Sequence, residues 1–102
     1  MIIRVFRATV HPGKEQEFTD FFHTTGYQKV TAHAGCKEVR IGLPLPDSPQ
    51  DFVMVQVWES VDALREFAGD NWREAVIHPD EAPLLAAVAV DHYDLSSMTP
   101  LD

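Results

Sequence analysis

The segment DFVMVQVWE, residues 51–59, predicts a β-strand that is apolar on both sides. Successive side chains of a strand point to opposite faces of its sheet. One face of this strand consists of valines, namely Val53, Val55 and Val57. The other face carries large apolar side chains and one amide, namely Phe52, Met54, Gln56 and Trp58. A sheet with one wet face alternates apolar and polar residues, so this strand predicts a sheet that is covered on both faces.

The segments around this strand predict three further strands and a long first helix. Strands are predicted at residues 2–10, 36–43 and 88–95, which are rich in apolar and β-branched residues. A helix is predicted from Lys14 to Ala34, with an interruption at Gly26. Its apolar stripe repeats at helical spacing and consists of Phe18, Phe21, Phe22 and Val30.

The region after the third strand predicts a second helix in several pieces. Ser60 is a suitable N-cap, and Gly69 is suited to end the helix that follows. Asn71 and Glu74 have the spacing of a capping box, which predicts another short helix there. Residues 80–85 predict one more helical turn before the last strand.

The resulting order β-α-β-β-α-β is the ferredoxin-like α+β arrangement, in which one antiparallel sheet carries its helices on one face. The 102 residues fit a single domain, predicted at residues 1–95 with a C-terminal tail at 96–102. Because the helices cover only one face, the apolar second face predicts a homodimer that packs sheet against sheet. The alternative is that loops and the tail cover this face.

The charge and the cysteine content exclude several classes of function. A formal net charge of -8 disfavours nucleic acid and anionic membrane surfaces as partners. The single cysteine, Cys36, rules out an intrachain disulfide and fits a reducing compartment. The sequence starts without a signal-peptide pattern and holds no apolar run of about 20 residues, so we expect a cytoplasmic protein without a membrane span.

Motifs for metals and nucleotides are absent from the sequence. The histidines show no HxH, HExxH or His–carboxylate spacing that suits a metal ion. There is also no GxGxxG, no P-loop and no GxSxG, which leaves nucleotide and flavin binding without support. We therefore expect no cofactor.

Four stretches of the sequence together resemble one protein family. They are VFRATVHPGK (residues 5–14), VWES (57–60), NWREAVIHP (71–79) and the strand that ends in Tyr93. In this order they resemble the antibiotic biosynthesis monooxygenase family, over residues 2–95. The resemblance implies a dimeric α+β barrel. It also implies a relation to cofactor-free oxygenases of polycyclic phenols or quinols and to haem-degrading enzymes.

Two residues resemble the substrate pocket of the phenol-oxidising members. Trp58 would give an aromatic wall with one N–H donor, and Arg73 would stabilise a phenolate. The alternatives are a core or interface anchor for Trp58 and a surface or ion-paired residue for Arg73. Alternation alone does not decide whether Trp58 faces the helices or the partner. Those members also carry an asparagine four residues before the tryptophan, where this chain has Met54.

His78 lies near the position of the haem-ligating histidine in the haem-degrading members. The other two residues of that site are replaced here by Phe6 and Phe67, so the resemblance does not extend to haem degradation. A neutral imidazole is also suited to general-base catalysis near neutral pH, so His78 is a candidate base or substrate contact. The alternative is a histidine that only ends the short helix before Pro79.

Two functions from different classes follow from these observations. The first is a cofactor-independent monooxygenase that oxidises a small aromatic substrate, such as a quinol, phenol or anthrone, with O₂. His78, or alternatively His23, would remove a phenolic proton. The predicted substrate-binding residues are Trp58, Phe22, Met54 and His23. The alternative function is a non-catalytic dimeric module that binds a small apolar metabolite.

Overall fold

Four strands and three α-helices are present in the computed structural model, which describes residues 1–98. The strands are β1 (Ile2–Val10), β2 (Cys36–Gly42), β3 (Asp51–Trp58) and β4 (Leu85–Asp94). The helices are α1 (Glu15–Phe21), α2 (Tyr27–Thr31) and α3 (Val61–Ala68). The strands pair antiparallel in the order β2-β3-β1-β4, which confirms the predicted ferredoxin-like α+β fold.

The central strand β1 sets the two faces of the sheet. Phe6 is opposite Met54 on β3 and opposite Val90 on β4. The face that contains these residues packs against the helices and is called the covered face. Apart from the partly buried Ile2, its side chains on β1 and β3 are buried, namely Arg4, Phe6, Ala8, Val10, Phe52, Met54, Gln56 and Trp58. The opposite, open face carries the valines of β3, with Val55 opposite Val5 of β1.

The α-helix between β1 and β2 is interrupted at Gly26 as predicted, but the chain stays helical there. A π-helical segment, Phe22–Gly26, joins α1 to α2, and Gly26 itself has helical dihedral angles of φ -61 and ψ -49. Phe22 and Val30, on either side of this glycine, are both buried. Their burial outweighs the roughly 1 kcal/mol of helix propensity that a glycine costs.

The predicted short helix after α3 is wrong, because residues 69–81 form a loop of turns and bends. In a helix the carbonyl of Glu74 would accept from the N–H of His78. Instead Arg4 Nη2 donates to Glu74 O at 3.0 Å, and the N–H of His78 donates to Glu81 Oε1 at 2.9 Å. Both members of the helical hydrogen bond therefore have other partners, which stabilises the loop.

Local signals set the ends of α3 and the start of β4. Ser60 caps α3 as predicted, with its Oγ accepting from the N–H of Ala63 at 3.1 Å. Gly69 ends the helix with a φ of 80, in the region that favours glycine. β4 begins at Leu85, earlier than predicted, directly after a 3-10 turn at Ala82–Leu84.

The predicted C-terminal tail lies only partly within the described residues. It begins in a 3-10 turn, Leu95–Ser97, whereas residues 99–102 lie outside the described part of the chain. Cover of the open face by this tail stays a prediction. Across residues 1–98 there is no helix whose length and apolar character would suffice to cross a membrane.

The close approach of β2 and α3 leads to a first prediction. The carbonyl of Gly35 accepts from the N–H of Glu59 at 2.8 Å, and a Cβ added to Gly35 would overlap the Cβ of Ala63. We expect Gly35→Ala to lower the free energy of unfolding by about 1–3 kcal/mol, because an overpacked contact forces the backbone apart. Urea denaturation followed by circular dichroism measures this change.

Gly26→Ala is the matched control for that variant. Gly26 is helical, and a Cβ there would meet no heavy atom closer than 3.4 Å. This variant should therefore keep the stability of the wild type or gain up to about 1 kcal/mol from helix propensity. Equal unfolding free energies for the two alanine variants would contradict the tight contact at Gly35.

Candidate functional site

A cavity of about 240 Å³ lies between the covered face of the sheet, the helical residues 21–30 and the 69–81 loop. Its floor comes from β1 and β3 and consists of Arg4, Phe6, Met54 and Gln56. Its walls include Phe21, Phe22, Lys29, His33, Phe67, Ile77, His78 and Glu81. Apolar walls with a few convergent polar groups are typical of sites for small organic ligands.

The residues predicted for the site fall into two groups. The cavity brings together Phe22, Met54 and His78. Its lining does not include Trp58, Arg73 or His23. His23 is exposed on the helical segment, where its Nδ1 donates to the carbonyl of Thr19 at 3.0 Å. One predicted catalytic residue and two predicted substrate-binding residues thus share the cavity.

Trp58 lies on the covered face, so its side chain is directed at the helices and not at the open face. It is fully buried, and its ring stacks on Phe67 with the ring centroids 5.4 Å apart. Its Nε1–H donates to Gln56 Oε1 at 2.8 Å. Because Phe67 and Gln56 both line the cavity, Trp58 supports the cavity wall from behind.

Arg73 lies at a second surface cavity of about 410 Å³, whose lining also includes Trp72. Its guanidinium carbon is 4.3 Å from the centre of the Trp72 ring, which is a cation–π contact. Within residues 1–98 it forms no ion pair with Glu74 or Asp70, and Asp70 lies 3.9 Å from Arg65 instead. The predicted role of Arg73 in a substrate pocket would therefore require a site other than the first cavity.

Arg4 is a site residue that the sequence did not lead us to expect. It is 1% exposed and yet lines the cavity. Its guanidinium donates to the carbonyls of Trp72 and Glu74 and, at 2.9 Å, to Nε2 of His92. Burial lowers the pKa of Arg4 to about 10, which leaves the side chain charged at neutral pH.

His92 on β4 is the neutral partner in this arrangement. Arginine can only donate, so Nε2 of His92 accepts from Arg4 and the neutral ring carries its hydrogen on Nδ1. Burial, followed by the charges of Arg4 and Arg73, lowers the pKa of His92. His92 lines the second cavity, so its contact with Arg4 connects the walls of the two cavities.

Glu81 and His78 both line the cavity, and the carboxyl group of Glu81 contacts the backbone of His78. Glu81 is buried, burial raises the pKa of its carboxyl group, and its Oε1 accepts from the N–H of His78. Nδ1 of His78 accepts from the N–H of Asp80 at 3.0 Å, so the neutral imidazole keeps its hydrogen on Nε2. The cavity thus combines a carboxyl group of raised basicity, an imidazole N–H donor and a buried guanidinium.

The signal for Arg4 was present in the sequence, whereas no signal marked Glu81. Arg4 shares its strand face with Phe6, Ala8 and Val10, and a charge in phase with a buried apolar face indicates a candidate site residue. Glu81 lies in a turn, and its burial depends on how the 69–81 loop folds over the cavity.

The residues around the cavity do not fit a haem. Pockets for drug-sized ligands have volumes of about 300–1,000 Å³, and a haem is larger than most of those ligands. This cavity has about 240 Å³, and its imidazole, His78, already uses Nδ1 to accept from Asp80.

The sequence matches one family model, described as Antibiotic biosynthesis monooxygenase, over residues 1–76. No curated protein is significantly similar to it in sequence. The matched residues include β1, the helical segment, β2, β3 and α3, so they contain most of the cavity floor and its helical wall.

Solved structures match across almost the whole chain. Protein SO0527 from Shewanella oneidensis has a TM-score of 0.74 and 17% identity, over 90% of this chain and 87% of that chain. A mutant of SnoaB, a cofactor-independent oxygenase from Streptomyces nogalater, has a TM-score of 0.69 and 21% identity, over 98% of this chain and 97% of that chain. A mutant of MhuD with two manganese protoporphyrin IX molecules bound per active site has a TM-score of 0.71 and 15% identity, over 98% and 99% of the two chains. At these identities the likeness shows the fold.

Because Glu81 is buried, we expect the stability of the protein to depend on pH. A neutral side chain at position 81 should remove this dependence. The folded pKa of Glu81 lies above its unfolded value, so the wild type loses stability as the pH rises from the ordinary carboxyl range through the raised value. In Glu81→Gln the amide oxygen still accepts from His78, and this loss is absent. We expect its urea midpoint to equal that of the wild type near about pH 4 and to exceed it near about pH 8.

Glu66→Gln is the control for this comparison, because Glu66 is exposed on α3 and the change removes the same charge. Its stability should follow the wild-type pH profile. If the profile of Glu81→Gln ran parallel to that of the wild type, the buried carboxyl group would not be the cause.

Proposed function

The chain belongs to the antibiotic biosynthesis monooxygenase family, and from this we propose that it is a cofactor-independent monooxygenase of a small aromatic substrate. The substrate class is a quinol, phenol or anthrone whose oxidation starts with the loss of a proton. SnoaB, which has the same fold, is a cofactor-independent oxygenase, and this likeness supports the proposal by analogy.

One observation carries the proposal: a single cavity combines aromatic walls with a base, a donor and a fixed cation. Phe21 and Phe22 contribute flat apolar walls that suit an aromatic ring. Glu81 has a raised pKa, which is typical of general bases, and Arg4 supplies a positive charge for the resulting anion. These groups are those that oxidation of a phenol without a cofactor requires.

The geometry suggests a division of roles among the charged and polar residues. We assign proton removal to Glu81, because a buried carboxylate is a stronger base than an exposed one. His78 has its Nδ1 engaged by Asp80, so it is assigned to donate from Nε2 to the substrate oxygen. Stabilisation of the anion is assigned to Arg4, which lines the cavity, and not to Arg73, which lies outside it.

The proposed reaction balances without a metal or a flavin. In an anthrone, the ring CH₂ group loses one proton to the base, and the resulting anion transfers an electron to O₂. The radical and superoxide combine to a peroxide, whose O–O bond breaks as the second hydrogen leaves the carbon. The net change is CH₂ + O₂ → C=O + H₂O, so one oxygen atom enters the product and the other leaves as water.

Oxygen uptake by the purified protein tests this proposal. With a panel of anthrones and hydroquinones, we expect uptake above a protein-free blank, measured with an oxygen electrode. Glu81→Gln and His78→Gln should each lower kcat by about 10²–10⁴, the usual contribution of a positioned acid or base. Uptake no faster than the blank for every substrate would overturn the proposal.

Variants outside the cavity complete this experiment. His11→Gln is the matched control, because His11 is exposed in the turn after β1 and its loss should leave kcat unchanged. A loss of activity in His23→Gln, and not in His78→Gln, would identify His23 on the helix surface as the catalytic histidine.

Saturable binding of apolar metabolites without oxygen uptake would support the alternative of a non-catalytic module.

We also propose that two copies pack through the open face of the sheet. In a single chain this face presents a contiguous set of aliphatic side chains from β1 and β3, namely Ile3, Val5, Val53, Val55 and Val57. Four of these five remain partly exposed, and such a patch is costly for a soluble monomer. A two-fold partner would remove it from water.

Val55→Arg tests the dimer, since Val55 lies opposite Val5 in the middle of this face. A charge buried between two sheets would lack a partner, so we expect the variant to be monomeric where the wild type is dimeric. Sedimentation velocity measures the difference. Glu66→Arg should keep the dimer, because Glu66 is exposed on α3. A wild type that sediments as a monomer would contradict the proposal.

A further inference from the structure

Within the described residues 1–98, the guanidinium of Arg4 is a buried charge without a counter-charge. Arg4 is 1% exposed, and all three of its hydrogen-bond partners are neutral: the carbonyls of Trp72 and Glu74 and the imidazole of His92. Among the residues that the structure describes, no carboxylate forms an ion pair with it. Buried charges in proteins are normally paired with an opposite charge, so this one is unusual.

The unbalanced property of Arg4 is its charge, because its recorded hydrogen-bond partners are neutral groups. Within residues 1–98 no buried side-chain nitrogen or oxygen atom lacks a hydrogen-bond partner. A guanidinium has five N–H donors, and the three contacts leave two of them for a ligand. Because Arg4 lines the cavity, a ligand placed there can reach the side chain.

The other charged groups of the cavity do not neutralise Arg4. Lys29, which also lines the cavity, adds a second cation. Glu81 is the acidic residue of the lining, and its Oε1 is engaged by the N–H of His78. Even with Glu81 ionised, as its proposed role as base requires, the described lining holds one carboxylate against the two cations Arg4 and Lys29. The described lining therefore has an excess of positive charge.

From this arrangement we propose that the cavity recognises its ligand as an organic anion, with the carboxylate of an aromatic acid bound to Arg4. The inference rests on the proposed function for the choice of site, and it adds the charge of the substrate. A charge that is present in the resting protein is matched by a ligand that is already ionised when it binds.

Two ligands of nearly the same shape test the inference on the wild-type protein. Naphthalene-1-carboxylate is an anion at neutral pH, and naphthalene-1-carboxamide is its neutral counterpart. Titration calorimetry at pH 7 should show at least about tenfold tighter binding of the carboxylate, as a charged hydrogen bond at a buried guanidinium would give. Equal affinities, tighter binding of the carboxamide, or no binding of the carboxylate would overturn the inference.

Two arginine variants locate the effect. Arg4→Gln should reduce the preference for the carboxylate to within about twofold, because the charge is lost while an amide donor remains. Arg7→Gln is the matched control, since Arg7 lies on the same strand but on the open face, where it pairs with Asp91. It should keep the full preference. A folded Arg4→Gln that keeps this preference would overturn the assignment, and the wild-type comparison decides the inference even if Arg4→Gln does not fold.

Anaerobic titration separates this inference from the proposed oxygenase function. A preference for the carboxylate, without oxygen uptake on any aromatic substrate, would support the inference and overturn the oxygenase. Oxygen uptake on anthrones, together with equal affinities for the two naphthalene ligands, would support the oxygenase and overturn the inference. The two measurements share no reactant, so either proposal can fail alone.

Discussion

The hydrogen bonds from Arg4 to the carbonyls of Trp72 and Glu74 hold the 69–81 loop over the sheet, and the cavity depends on this contact. A helix would use those carbonyls for its own N–H groups, so a side chain from β1 replaces the missing helical hydrogen bonds. At the far end of the loop, the side chain of Glu81 likewise accepts a hydrogen bond from the N–H of His78. Buried backbone groups need partners, and here two charged side chains supply them. Arg4 and Glu81, which shape the loop, are therefore also two of the charged groups of the cavity.

The parts of the fold that the sequence predicts correctly are those that depend on local pattern. The two apolar faces of β3 are a property of one strand, and the Ser60 cap is a property of one turn. The errors arise where distant residues decide. The Asn71 and Glu74 pattern predicts a helix, but Arg4, 70 residues from Glu74 along the chain, engages the carbonyl that the helix needs. No local pattern contains that contact.

The residues of the candidate site were also predicted only in part, because the sequence gives their positions but not the directions of their side chains. A resemblance transfers positions along the chain, but the path of the backbone decides where a side chain points. His78 enters the cavity because the loop turns there, while Arg73, five residues earlier, stacks on Trp72 outside it. Strand alternation does not decide which face of the sheet carries Trp58. Only the packing of the helices on one face decides this. Gln56, the neighbour of Trp58 and the single polar residue on that side of β3, lines the cavity.

Burial of Arg4 has an energetic consequence for the chemistry. Removal of a guanidinium from water costs several kcal/mol, and three hydrogen bonds to neutral partners offset this cost without cancelling the charge. An apolar side chain at this position would avoid the cost, but it would leave the carbonyls of Trp72 and Glu74 without their donor. The charge is thus fixed in place before any ligand arrives. A fixed charge stabilises an anion without the reorganisation that water requires. In the proposed reaction the anion passes an electron to O₂, so the negative charge stays in the cavity as superoxide, and the same guanidinium would stabilise both species.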